Sequence, residues 1–164
     1  MKVIIVTGCV GTGKTTVAKK FSEVLGYNYL DVNSLIKRYD ISSGFDKKRK
    51  SKIIDIEKLK DCLVRGISKL EEKKVDGVVI DSHLSHYLDK DIVDLCIVTK
   101  CELKELEKRL LKRKYHEEKI RENLDSEIFD TCRVEALEAG HNIKIIETDR
   151  EVKYGDLMEV VKKL

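Results

Sequence analysis

The 164-residue chain contains no proline, no tryptophan and no glutamine, and aromatic side chains make up only 5% of it. Without proline there are no polyproline linkers or Pro-rich recognition stretches. The scarcity of aromatics removes the stacking platforms on which single-stranded nucleic acids are held. No apolar run is long enough to cross a membrane as a helix. Met1 leads straight into an apolar strand, which leaves no room for a signal peptide, and a cytoplasmic location is expected. Cysteine is present without a pattern: Cys9, Cys62, Cys96, Cys101 and Cys132 are odd in number, scattered, and contain no C-x-x-C pair. Neither a disulfide framework nor a zinc ribbon is expected from them. An excess of one charge is missing too. Charged residues are 38% of the chain yet balance to +3, with acids and bases interleaved along helical stretches. That describes a solvated surface rather than a nucleic-acid footprint.

What the chain does have stands at its start. An apolar strand runs into Gly8-Cys9-Val10-Gly11-Thr12-Gly13-Lys14-Thr15, and a helical pattern begins at the lysine. This is a complete phosphate-binding loop in its required strand-before, helix-after context. Backbone N–H groups can converge on a polyphosphate only where no Cβ intrudes, hence Gly8, Gly11 and Gly13. Lys14 reaches the β- and γ-phosphates, and the Thr15 hydroxyl can hold Mg²⁺. The helix that follows directs its N-terminal dipole at the same anion. A nucleoside triphosphate with Mg²⁺ is the expected ligand. Cys9 is read as a small loop residue, one whose oxidation would cost binding.

At this length one domain is expected, built on that one site. Strands are predicted over 3–7, 28–31, 77–81, 95–99 and 143–147, and helices over 14–25, 32–39, 56–73, 102–112, 117–139 and 154–163. The strand cores are nearly continuous apolar runs, which suits strands covered on both faces. The fold class is therefore α/β, a five-stranded parallel sheet flanked by helices with right-handed crossovers. Residues 40–54 read as an irregular insertion carrying the basic run Lys47-Lys48-Arg49-Lys50. With no interleaved aromatics, the run is expected to be an anion-facing or flexible substrate loop rather than an RNA patch.

The predicted strand Val78-Val79-Ile80-Asp81 is followed by Ser82-His83. An aspartate at the tip of a strand neighbouring a phosphate loop orders Mg²⁺, so Asp81 joins Thr15 as a metal-site candidate. His83, two residues on, points the same way if the strand persists. A second basic constellation is Lys108-Arg109 with Lys112-Arg113-Lys114. Arg109 and Arg113 stack four apart on one helical face before a hinge at Lys114-Tyr115-His116. Guanidinium forks suit the charge that develops in phosphoryl transfer, though pairing with Glu105 and Glu117 is the plainer alternative.

These residues carry a resemblance that covers most of the chain. Besides the loop with its Thr15-Thr16 pair, it includes Tyr29-Leu30-Asp31-Val32-Asn33, Gly44-Phe45-Asp46, Asp81-Ser82-His83 and Arg109-Leu110-Leu111-Lys112-Arg113-Lys114-Tyr115. The last part is Lys119-Ile120-Arg121-Glu122-Asn123 with Glu127-Ile128-Phe129. The chain resembles the adenylate kinase isoenzyme 6 family, small nucleoside-monophosphate kinases that in eukaryotes double as a nuclear ATPase of small-ribosomal-subunit assembly and that have archaeal members. The resemblance implies a phosphate-loop kinase domain over residues 1–164, with a monophosphate-binding segment over about 31–53 and a lid over about 112–122. Gly11, Gly13, Lys14, Thr15 and Thr16 would bind ATP, and Thr15 and Asp81 would hold Mg²⁺. Lys14, Asp81, His83 and Arg113 would serve catalysis. Asp31, Asn33, Lys37, Arg38 and Arg109 would bind AMP or another monophosphate. Three positions depart from the family pattern: Val10 replaces a frequent proline, Lys37 an arginine, and Lys114 a glycine. The family also implies ATP hydrolysis, and a role in small-subunit assembly and rRNA maturation through a ribosomal-protein partner rather than by direct RNA binding. A phosphate-loop kinase of another small metabolite, such as shikimate or a nucleoside, is the lesser alternative.

Overall fold

The computed structural model describes residues 1–47 and 51–152, and beyond them Gly155, Leu157 and Val160. Lys48, Arg49 and Lys50 of the basic run lie outside the described residues, as does most of the expected helix over 154–163, of which Leu157 is buried in the core.

β1 (Lys2–Thr7), β2 (Asn28–Asp31), β5 (Gly77–Asp81), β6 (Leu95–Lys100) and β7 (Ile143–Glu147) form a parallel sheet in the order β2-β5-β1-β6-β7. β1 is central, with β5 on one side and β6 on the other, so the loop that leaves it opens at the point where strand order reverses. Ligands of open α/β sheets sit in the crevice at such a point.

Alternation along β1 divides the core. Val3 and Ile5 face a layer made with α2 (Val32–Arg38) and α3 (Ile56–Glu72), where Ile36, Leu59, Leu63 and Ile67 are buried. Ile4 and Val6 face α1 (Lys14–Leu25), packing on Val17, Ala18 and Phe21. A smaller cluster of Cys101, Leu106, Leu110 and Ile120 lies under α4 (Leu103–Lys112) and α5 (Glu117–Ile128), and Val10 of the phosphate loop packs on it.

Two segments differ from the sequence expectation. Residues 40–54 are not irregular: β3 (Ser42–Asp46) and β4 (Ser51–Ile54) pair as an antiparallel hairpin. The single helix expected over 117–139 is two, α5 and α6 (Thr131–Glu138), broken at Asp130, whose φ is 55°. The break is tertiary in origin. The Asp130 carboxylate is drawn to Lys100 Nζ at 2.7 Å and also pairs with Arg133, which fixes it in the left-handed region where Asp is tolerated. Among the described residues no helix is long and apolar enough to cross a membrane.

Behind the phosphate loop, α6 and a short 3₁₀ turn at Ser85–Tyr87 bury His86. Its Nδ1 is 2.8 Å from Thr7 Oγ1, at the end of β1. Glu135 Oε2 lies 3.0 Å from Nε2 but off the line of the ring N–H, so the contact is not a hydrogen bond. Burial first, and the neighbouring His83 and His141 second, push the His86 pKa down to about 4, below the ordinary 6.5. The unfolded chain therefore binds a proton that the folded chain refuses between those values, and stability falls as pH drops through the window. The thermal midpoint should be level above pH 7 and begin to fall by pH 6, above the carboxylate range, with a smaller fall in His86→Gln. A midpoint that holds down to pH 5 would mean that Glu135 pairs with a charged ring.

Candidate active site

The phosphate loop is shaped by close approach. Gly8 has φ 141°, and a Cβ there would lie 2.4 Å from Thr99 Oγ1 and 2.6 Å from Thr99 O at the end of β6. Gly11, at φ 95°, would put a Cβ 2.7 Å from Leu106 Cδ1 of α4. Neither position admits a side chain. Hydroxyls then anchor the loop. Thr12 Oγ1 donates to Cys9 O at 2.8 Å and lies 2.7 Å from Thr99 Oγ1, while Thr148 Oγ1 donates to Thr12 O at 2.7 Å.

Lys14 opens α1. Its Nζ donates to Gly8 O and Cys9 O, each at 2.9 Å, so the ammonium is held by carbonyls of its own loop. Among the described residues no carboxylate pairs with it. Burial first, and the Arg113 cation besides, lower its pKa, against the upward pull of Asp81 and the nearby thiols. Thr15 and Thr16 follow on the exposed first turn of the helix.

Beside the loop is a cavity of about 460 Å³, lined by Gly11, Gly13, Thr16 and Val17 from the loop and α1, by Arg109, Lys112 and Arg113 from α4 and its end, and by 148–152 after β7. Lys20 and Arg150 add two more cations to it, against the acids Asp149 and Glu151. The structure thus brings Gly11, Gly13, Thr16, Arg109 and Arg113 together around one space, whose lining does not include Lys14. Arg109 is not a free cation there. Its guanidinium binds Glu105 Oε1 at 3.0 Å, Thr148 Oγ1 at 3.1 Å and Thr148 O at 2.6 Å, so it ties α4 to the cavity floor. Arg113 is exposed at the end of α4, a position from which a guanidinium can turn to an anion. Lys114, in the segment expected to act as a hinge, has φ 57°. Glycine takes this left-handed conformation freely, and a residue with a Cβ is strained there by about 1 kcal/mol.

Asp81 ends β5 and is buried, and one of its oxygens, Oδ2, accepts from Tyr29 OH at 2.9 Å. β5 stops there, so the alternation argument does not extend to His83, yet the ring is still close enough to feel both Lys14 and Asp81. Crowding first, and the Lys14 ammonium second, push its pKa down to about 4, with Asp81 pulling upward. The residue is also open to solvent, and water softens that push. The direction is what the chemistry uses: a neutral imidazole at pH 7. A hydroxyl at Thr15 and a carboxylate at Asp81 are hard oxygen donors, and they fit Mg²⁺. Among the described residues no group of three His, Cys, Asp or Glu side chains is placed to hold a metal, so such a cation would complete its shell with phosphate oxygens and water.

Of the predicted acceptor residues, Arg109 lines this cavity, and Asp31, Asn33, Lys37 and Arg38 are not among its lining residues. Asp31 caps α2, accepting from Asn33 N at 2.9 Å and Ser34 Oγ at 2.7 Å, which gives both Asp31 and Asn33 a local structural task. Lys37 and Arg38 are exposed at the last turn of α2, and Arg38 lies over the Tyr39 ring at 5.6 Å.

Sequence reasoning missed three residues. Tyr29 orients Asp81, and Thr148 links loop, β6 and Arg109. Glu127 is buried, accepts from Cys101 N at 3.1 Å and meets Lys100 Nζ at 3.4 Å, joining α5 to the end of β6. A glutamate within an otherwise ordinary surface helix gives no sign of burial. Its place in the family-specific segment Glu127-Ile128-Phe129 was the available signal.

The family model described as an AAA domain matches residues 4–130. A protein named "Putative adenylate kinase" from Methanocaldococcus jannaschii is 33% identical over 97% of this chain and 85% of its own length. The "Adenylate kinase isoenzyme 6 homolog FAP7" of Saccharomyces cerevisiae is 32% identical over 92% of this chain and 74% of its own. Among solved structures, a sugar kinase from Janibacter sp. superposes with a TM-score of 0.66 at 15% identity over 99% of this chain and 93% of that one. A shikimate kinase from Acinetobacter baumannii superposes with a TM-score of 0.57 at 17% identity over 99% of this chain and 90% of that one. At such identity these two show the shared fold.

If Asp81 and Thr15 hold the metal, Asp81→Asn should abolish most of the Mg²⁺ enhancement of ATP binding in equilibrium titrations. His83→Ala should leave ATP affinity within a few-fold. Unchanged Mg²⁺ dependence in Asp81→Asn would remove that residue from the site.

Proposed function

The chain belongs to the adenylate kinase isoenzyme 6 family, and on that premise we propose that it is a nucleoside-monophosphate kinase, transferring the γ-phosphoryl group of MgATP to AMP, with ATP hydrolysis as an accompanying activity. One observation carries the reading more than any other. A lysine ammonium sits against carbonyls of its own glycine-rich loop, with no paired carboxylate among the described residues, and the same loop lines, through Gly11 and Gly13, a cavity rimmed by further cations. Such a site is incomplete until a polyanion enters it.

In this mechanism the loop N–H groups and the start of α1 cradle the donor phosphates. Lys14 leaves its carbonyls for the β- and γ-phosphates, and Arg113 turns in from the end of α4. Thr15 and Asp81 would hold Mg²⁺, which would supply charge neutralisation for the transferring group. Residues 31–53 form the acceptor-binding segment, where Lys37 and Arg38 supply the cations for a monophosphate. Residues 112–122 act as the lid, hinged at the left-handed Lys114. Transfer is in-line, from the γ-phosphorus to a phosphate oxygen of AMP, and gives two molecules of ADP. Little covalent help is needed, so positioning and charge stabilisation supply most of the rate. Neutral His83, beside Lys14, can donate a hydrogen bond to the acceptor phosphate or accept one from a water in its place. Closure that excludes that water separates transfer from hydrolysis.

A panel of monophosphates with ATP and Mg²⁺ tests the reading. AMP should give ADP fastest, and water alone a slower release of phosphate. Lys14→Ala should lose about a thousandfold or more in both reactions. His83→Ala should lower kcat at nearly unchanged ATP affinity, since a residue beside the reacting phosphate acts on the transition state. Lys37→Ala and Arg38→Ala should raise the acceptor KM far more than the donor KM. Turnover by Lys14→Ala at the wild-type rate would overturn the site assignment.

A further inference from the structure

Nucleotide binding uses the backbone of Cys9 and leaves its side chain unaccounted for. That side chain meets α5 and α6: its Sγ is 3.4 Å from Ser126 Oγ and 3.9 Å from Cys132 Sγ. Both thiols are buried, and all the cysteines are free. The two sulfurs are chemically unequal. The S–H of Cys9, donated to Cys132, and the Lys14 ammonium hold the Cys132 pKa below the ordinary thiol value, while the same contact and burial push that of Cys9 up. One sulfur is thus the readier nucleophile and the other keeps its proton.

The backbone of Cys9 is also a junction of the loop. Its carbonyl accepts from Lys14 Nζ at 2.9 Å, Thr12 N at 3.3 Å and Thr12 Oγ1 at 2.8 Å. Whatever pulls on Cys9 therefore moves the groups that receive the triphosphate.

We propose that Cys9 and Cys132 form an oxidation site, where a hydroperoxide joins them in a disulfide that disables the phosphate loop. The Cys132 thiolate sulfur attacks the terminal hydroperoxide oxygen, and the O–O bond breaks. The departing alkoxide or hydroxide takes up the proton that Cys132 had released and leaves as an alcohol or water. Cys132 is now a sulfenic acid. The Cys9 sulfur attacks the sulfenic sulfur, the S–O bond breaks, and hydroxide leaves with the Cys9 proton as water. Two thiols are oxidised and one peroxide is reduced. The sulfurs close from 3.9 Å to about 2.05 Å. That movement draws Cys9 toward α6 while Thr12 stays hydrogen-bonded to Thr99, so the loop cannot follow as a unit. The cross-link ties the loop to a helix 123 residues away in sequence. The functional half of the proposal rests on the loop's being the triphosphate site.

The test treats the reduced full-length chain with hydrogen peroxide, traps free thiols by alkylation, maps peptides without reduction, and titrates a fluorescent ATP analogue. A Cys9–Cys132 linked peptide should appear, ATP affinity should fall by about tenfold or more, and a thiol reductant should restore it. Cys132→Ser and Cys132→Ala should bind ATP as the reduced wild type does and resist peroxide. Should both variants fail to fold, the peptide map and the reversal by reductant decide on the wild type alone. Oxidation of Cys62, Cys96 or Cys101 without the linked peptide overturns the proposal, as does a linked protein of unchanged ATP affinity. A reduced wild type that binds no ATP overturns the nucleotide reading and with it the functional half, while the peptide map still decides the oxidation.

Discussion

A half-buried ammonium that no carboxylate among the described residues pairs with is the constraint on which the rest of this structure depends. Lys14 is turned inward onto Gly8 O and Cys9 O, and burial disfavours its charged form. Carbonyl dipoles offset only part of the cost of removing a cation from water. Everything around it keeps that arrangement available to a ligand. Gly8 and Gly11 let the loop lie against Thr99 and Leu106, and hydroxyls of Thr12, Thr99 and Thr148 fix its path. Asp81 is oriented by Tyr29 instead of closing on the lysine.

The second half of the molecule serves as a back wall for this loop. Val10 rests on the cluster under α4 and α5, Arg109 ties α4 to Thr148, and Glu127 ties α5 to Cys101. α6 adds contacts at both ends of the loop's approach, through His86 to Thr7 and through Cys132 to Cys9. α4, α5 and the loop thus share a frame. A change in the α5–α6 corner reaches the phosphate loop through packed side chains rather than through solvent.

How much of this could be read from the sequence follows from where each signal is local. β1, β5 and β6 were legible because both faces are buried and each core is an unbroken apolar run, whereas the edge strands β2 and β7 are more open and were read from shorter apolar stretches. Their order was not, since pairing depends on crossovers that no residue encodes singly. The hairpin at 42–54 was missed because its strands are largely exposed and carry few apolar residues to alternate. The helix break at Asp130 was missed because it arises from Lys100, thirty positions earlier, and not from a local breaker. The phosphate loop was legible in full, since glycines at that spacing have a steric reason in one place only. Asp81 was legible as a strand tip. Arg109 meets Glu105, the plainer pairing that its spacing offered, while its bonds to Thr148 were not legible, because spacing shows which face a guanidinium shares and not which carbonyl it meets. Asp31 and Asn33 were legible as an element boundary, and the structure makes them a helix cap.

The central claim is that the anion completing this site is a triphosphate whose γ-phosphoryl group moves to a monophosphate. Phosphorus-31 NMR of the protein with ATP, Mg²⁺ and AMP reads that transfer directly. The account predicts that the ATP and AMP signals decline together while those of ADP grow, two molecules for each ATP consumed, with little inorganic phosphate. ATP and AMP signals that persist, or loss of ATP to inorganic phosphate with AMP untouched, would contradict it.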